Sequence, residues 1–82
     1  MATFEWNIEK NELLKKERKI SFEKVIEYIS KGEIIDIIEH PNSELYKNQM
    51  VIIINHNDYI YYIPYVEKDD IIFLKTIIPS RK

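Results

Sequence analysis

The chain of 82 residues has no cysteine, one glycine and three prolines. Without cysteine there is no disulfide scaffold and no thiolate zinc site, and a reducing compartment is suited. One glycine cannot make a phosphate-cradling loop, which needs several residues free to take unusual backbone angles. No apolar run exceeds five residues, far short of the roughly 20 that a membrane-spanning helix needs. The opening MATFEWNIEK has no basic stretch followed by an apolar run, so no secretory leader is expected. A soluble cytoplasmic protein is the expectation.

What is present fits a single small domain. Hydrophobic residues make up 45% and charged residues 32%, a globular balance. A domain of this size buries a modest share of its surface, so a partner can add to its stability. Net charge is −2 and unevenly spread. From Lys10 to Lys24 there are six bases against three acids, and from Glu33 to Asp70 two bases against eight acids. Lys75, Arg81 and Lys82 close the chain with no acid among them. If the fold brings the two ends together, it makes a basic patch on an acidic body.

Periodicity predicts the elements. Thr3–Trp6 reads as a short strand. Asn7 is a helix N-cap for a helix running to about Arg18, with few apolar residues and a Glu12–Lys16 pair on its surface. Ser21 caps a second helix, whose Phe22, Val25, Ile26 and Ile29 make one apolar stripe, with Gly32 at the C-terminal cap. Four strands follow: Glu33–Glu39, Gln49–Ile54, Tyr59–Val66 and Ile71–Ile78. The turns are His40–Ser43, Asn55–Asp58 and Glu67–Asp70. Pro64 suggests an edge or a bulge. Short turns imply antiparallel neighbours, so the class is α+β: a short N-terminal strand, two helices, then a four-stranded antiparallel sheet.

Chemistry that needs little equipment fits best. His40 and His56 lie in separate turns, nearby carboxylates are not at metal-binding intervals, and no Ser/His/Asp spacing stands out. No metal or cofactor is expected. RNA carries its own nucleophile, the 2′-hydroxyl. A protein need only orient it, remove a proton and stabilise the charge gathering on phosphorus. Arginine grips two phosphate oxygens and stays charged, and lysine acts as a point charge.

The segment FEWNIEKNELLKKERKISFEKV, Phe4–Val25, resembles the opening of BrnT-like toxins, which read FEWD, a Lys-Asn pair, a Lys/His segment and a Val/Ile-Ser-Phe helix start. KTIIPSRK, Lys75–Lys82, resembles that family's closing strand and its Ser/Ala-Arg-Lys motif. Lys10 and Asn11 match the Lys-Asn, and Arg81 and Lys82 match the Arg-Lys. Asn7 stands where aspartate is usual, and Arg18-Lys19 where His-Gly is common. The resemblance implies a RelE-like ribonuclease, the toxin of a type II toxin–antitoxin system that inhibits translation. Its implied partner is a cognate antitoxin, usually a ribbon-helix-helix DNA-binding protein, and the expected assembly is a homo-oligomer or a toxin–antitoxin hetero-oligomer.

With the resemblance added, Arg18 and Arg81 are candidates to stabilise the scissile phosphate, and His40 to move a proton. Lys10, Lys16, Lys19, Lys75 and Lys82 are candidates to bind RNA. Blander roles stand beside these. Arg18 and Lys19 suit a helix C-terminus, Lys15 and Lys16 a solvated helix face, and His56 an exposed hairpin tip. Tyr59, Tyr61, Tyr62 and Tyr65 suit packing by default and base stacking as the sharper alternative. Two further readings are a catalytically weak or inactive relative that only binds its antitoxin, and an unrelated protein that adds a peptide strand along a Tyr59–Val66 edge.

Overall fold

Asn7 opens the first helix as its side chain predicts: the backbone is extended there, and Oδ1 accepts the Lys10 N–H at 2.9 Å. The computed structural model describes residues 3–40, 42, 44, 45 and 49–80. Its elements are β1 (Thr3–Trp6), α1 (Ile8–Arg18), α2 (Phe22–Ser30), β2 (Asp36–Glu39), β3 (Gln49–His56), β4 (Tyr59–Lys68), β5 (Ile71–Leu74) and β6 (Ile78–Pro79). Ser21 caps α2, its Oγ accepting the Lys24 N–H at 3.2 Å. Gly32, at φ +70°, lets the chain turn back after the helix. There Glu33 N–H donates to the Tyr28 carbonyl at 2.8 Å and Gly32 N–H to that of Ile29 at 3.1 Å, which satisfies two carbonyls a helix end leaves open. On the surface of α1 the ion pair is Lys15–Glu12, 3.1 Å apart at a spacing of three, in place of the expected Glu12–Lys16 pair.

The α+β class stands, with both helices and a mixed six-stranded sheet. The order is β1-β5-β4-β3-β2, and β6 pairs with β4. The expected layout needs correcting in two places. First, β1 joins the sheet and lies parallel to β5, with Phe4 opposite Ile72 and Trp6 opposite Leu74. That register puts the apolar residues of both strands on one face, where Trp6 stacks on Phe22 at 6.0 Å between centroids. Second, Ile71–Ile78 is not one strand. It pairs with β4 as β5 up to Leu74, leaves the ladder, and returns as β6 opposite Tyr61 and Tyr62.

Pro64 explains the break. It lies inside β4, a central strand, and its carbonyl accepts the Lys75 N–H at 2.9 Å. The nitrogen and carbonyl of one strand residue point to the same side. Pro64 therefore turns its hydrogen-free nitrogen towards the neighbour that changes from β5 to β6. There a missing donor costs no ladder bond. With β4 in the middle, the Tyr59–Val66 segment offers no edge for strand addition.

The core lies on one face of the sheet. Phe22 and Val25 of α2, Leu14 of α1 and Ile20 between them pack on Ile52, Ile54, Tyr61, Ile63, Tyr65 and Leu74. Trp6, partly buried, packs against this cluster. Tyr61 and Tyr65 are buried in it, Tyr62 faces away from it and Tyr59 is exposed, so the four tyrosines form no continuous stacking row.

Candidate functional site: a cationic pocket at the helix junction

Asn11 holds the two helices together. It is 3% exposed, Oδ1 accepts the Phe22 N–H at 2.8 Å, and Nδ2 donates to Glu23 Oε1 at 2.8 Å. One side chain thus serves an unpaired donor at the start of α2 and fixes the first-turn glutamate. The Asn11 hydrogen bond, helped by the Lys15 charge, holds the Glu23 carboxyl below its ordinary range. Lys15 reaches both Glu12, at 3.1 Å, and Glu23, at 3.7 Å. Its bond to Glu12 is the main reason its ammonium group holds its proton more tightly than usual.

This junction brings cations together. The pocket there has a volume of about 330 Å³ and is lined by Lys15, Lys19, Ile20, Ser21, Lys24 and His56. Lys19 reaches the pocket from the C-cap of α1, where it takes a left-handed φ of 54°. Lys24 lies in the first turn of α2, paired with Glu27 at 3.3 Å and 5.4 Å above the Tyr28 ring. Glu12, Glu23 and Glu27 are therefore the counter-charges around the pocket's lysines.

His56 comes from the far end of β3. The hairpin turn is only Asn57–Asp58, with φ of 53° and 68°, the mirror-image turn that two-residue hairpins favour. The strand therefore runs on to His56, two residues past Ile54 on the same face. The ring is half-buried, with Tyr28 edge-on at 5.8 Å and Tyr61 tilted at 6.2 Å. Tyr28 Oη lies 2.7 Å from Nδ1, and the Asn57 amide nitrogen 3.4 Å from Nε2. With Nδ1–H donating to Tyr28, Nε2 keeps its lone pair. Burial, and then the Lys24 charge, push the His56 pKa below its ordinary value. The ring is neutral at pH 7 and able to accept a proton.

Of the residues singled out from sequence, Lys19 lines this pocket. Arg18 donates from Nη1 to the Ile77 carbonyl at 3.0 Å. It ties the end of α1 to the segment between β5 and β6. Arg81 and Lys82 lie outside the described residues. Lys10 and Lys16 are exposed on α1, and Lys75 is exposed after β5; none of the three lines the pocket. His40 lines a different pocket, among Ile38, Val51, Ile53, Tyr62, Pro64 and Ile78. Its Nδ1 accepts the Asn42 N–H at 3.0 Å, which leaves the proton of a neutral ring on Nε2.

Sequence reasoning passed over Lys15, Lys24 and His56 as site residues. The missed signal was Asn57-Asp58 as a two-residue turn, which moves His56 from the loop into the strand. Among the described residues no group of three or more histidine, aspartate or glutamate side chains is placed to hold a metal. No described helix is long and apolar enough to cross a membrane. Fold and site together define a small α+β protein with a histidine set among lysines. Comparison with protein-family models, with curated proteins and with solved structures finds no match to this chain.

Proposed function

We propose that the chain is the toxin of a type II toxin–antitoxin system, a metal-independent endoribonuclease of RelE-like layout that acts in the cytoplasm to inhibit translation. The observation that carries the reading is the pocket where Lys15, Lys19 and Lys24 surround a neutral His56. The BrnT-like motifs at Phe4–Val25 and Lys75–Lys82 support it from the sequence side. So does the order of a strand and two helices ahead of the remaining strands.

In this reading the lysines hold a phosphodiester and the negative charge that builds on phosphorus during attack. His56 Nε2 takes the proton of the 2′-hydroxyl. The 2′-oxygen bonds to phosphorus, the bond from phosphorus to the 5′-oxygen breaks, and that oxygen takes a proton from water. The products are a 2′,3′-cyclic phosphate and a free 5′-hydroxyl. Tyr28 orients the ring. The base is assigned to His56 over His40, because His56 stands among the lysines whereas the His40 surroundings are apolar. Arg18 acts by anchoring the closing segment, and Arg81 is retained as a candidate phosphate ligand.

The test is cleavage of RNA, free and ribosome-bound, in the presence of EDTA. Wild-type protein should cleave. Replacing His56 by Gln should slow cleavage by about 100-fold or more, and Arg81→Ala should slow it without altering the fold. No cleavage of either RNA by wild-type protein would overturn the enzymatic reading. A second reading, an antitoxin-binding module without catalysis, is favoured by Arg18, whose guanidinium is engaged by the Ile77 carbonyl. Growth arrest on induction separates the two, since only an active toxin arrests cells.

A further inference from the structure

Strand β2 ends the sheet on one side, with β3 as its neighbour. All four of its residues, Asp36–Glu39, are exposed. It belongs to an isoleucine run: four of the five residues from 34 to 38 are isoleucine, and Asp36 is the fifth. Ile35 is 56% exposed and Ile37 42%. An exposed edge of β-branched residues is a template on which a further strand can pair.

The register shows which backbone groups face outward. His40 N–H donates to the Gln49 carbonyl at 3.1 Å, and Ile38 and Asp36 lie in register with Val51 and Ile53. In an antiparallel pair the residues that exchange bonds recur at every second position. These even-numbered residues therefore face β3, and Ile37 and Glu39 turn their N–H and carbonyl groups away from it. The outward Ile37 N–H is already taken: Asp36 Oδ1 accepts it at 2.8 Å. A second feature acts at the same place. Ile35 N–H donates to the Ile53 carbonyl at 2.8 Å, although Asp36 is the residue in register with Ile53. Two edge residues thus share one partner, a bulge, which bends and twists an edge strand.

The strand that such an edge invites is β2 of a second copy, because antiparallel pairing about a two-fold axis at Ile37 is in register with itself. Ile37 would exchange both its bonds with the second copy's Ile37, and Glu39 would stand opposite the second copy's Ile35. Asp36 obstructs that pairing twice. Its Oδ1 holds the donor that Ile37 would give. Its charge would also lie diagonally across from the same carboxylate of the other copy, about 7–8 Å away on one face.

We infer that Asp36 guards the sheet edge: its carboxylate caps the outward Ile37 N–H and keeps β2 from pairing with β2 of a second copy. This goes beyond the ribonuclease reading and does not depend on it, since no residue of β2 lines the cationic pocket.

The experiment measures self-association of the full chain by sedimentation equilibrium. Asp36→Ala should associate at least about tenfold more tightly than the wild-type chain, having lost a competing acceptor and a like charge. Asp36→Asn keeps an oxygen acceptor without the charge, so it should fall between the two. Adding Ile37→Pro to Asp36→Ala removes the outward donor at an edge position where proline is tolerated, and association should return to the wild-type level. If that double variant does not fold, exchange of the Ile37 amide in Asp36→Ala decides. It should be faster than in the wild type in dilute solution and slow down as concentration rises. Four results would overturn the inference. One is an Asp36→Ala chain that associates no more tightly than the wild type. Another is association that persists with Ile37→Pro, which would place the contact on the open sheet face. The third is Asp36→Asn associating as tightly as Asp36→Ala, and the last an Ile37 amide whose exchange ignores concentration.

Discussion

On one face of the sheet Ile52, Ile54, Ile63 and Leu74 meet Phe22, Val25 and Leu14; on the other, Val51, Ile53, Tyr62 and Pro64 meet a groove. Both faces are apolar at the middle of the sheet, because β3 and β4 alternate one set of apolar residues with another. They differ in what covers them. The covered face has side chains with no exposed surface, among them Phe22, Val25, Ile54, Ile63, Leu74 and Ile77. The open face keeps its isoleucines partly in water. Burial on the first face fixes the fold. The rim of that face, at the helix junction, also gathers the lysines of the pocket. The second face contributes less to stability.

The sharpest way to break this comparison is to truncate neighbouring isoleucines that face opposite ways. Ile54→Ala should destabilise by about 2–5 kcal/mol, since it opens a cavity in a closed core. Ile53→Ala should cost about 1 kcal/mol or less, because its side chain is already partly in water. Urea unfolding of the two variants gives the answer, and equal losses would show that the open face is covered too. Asn11→Ala should come next, at about 1–3 kcal/mol, because it strands the buried Phe22 N–H. Its loss would also loosen the helix junction, so its effect on RNA cleavage should exceed that of Ile53→Ala.

Smaller effects separate stability from function at the pocket. Lys19 holds a left-handed backbone that glycine takes without strain. Lys19→Gly should therefore stabilise the fold by up to about 1 kcal/mol while weakening RNA binding, as thermal unfolding and a binding titration can show together. The smallest effect is that of pH. The pKa of His56 is lower in the folded chain than in the unfolded one. Below the ordinary histidine value of about 6.5 the unfolded chain binds more protons, so acid erodes stability as pH falls towards the folded pKa. The contribution is fully present above that ordinary value. His56→Gln should flatten this part of the stability–pH curve, and an unchanged slope would show that another group causes it.

Much of the fold could be read from local chemistry. Asn7, Ser21 and Gly32 announce their caps, and the stripe Phe22, Val25, Ile26, Ile29 announces the buried face of α2. The parallel contact of β1 with β5 could not be read, because nothing in Thr3–Trp6 names a partner more than sixty residues away. The break in Ile71–Ile78 was hidden for a similar reason. Its cause is Pro64 in the neighbouring strand, not a turn residue within the segment. The site was half legible. The basic run Lys10–Lys24 pointed to the right helices, but which of its lysines converge depends on Asn11 fixing the angle between them. His56 was lost to a turn assigned two residues too long.

The most direct test of the central claim, that phosphate chemistry belongs to the helix junction, is an NMR titration with a 2′-O-methyl RNA oligonucleotide that cannot be cleaved. The account predicts shifts at Lys15, Lys19, Lys24 and the His56 ring, with Ile38, Ile53 and Ile78 left in place. Shifts confined to the open face, or none at saturating RNA, would contradict it.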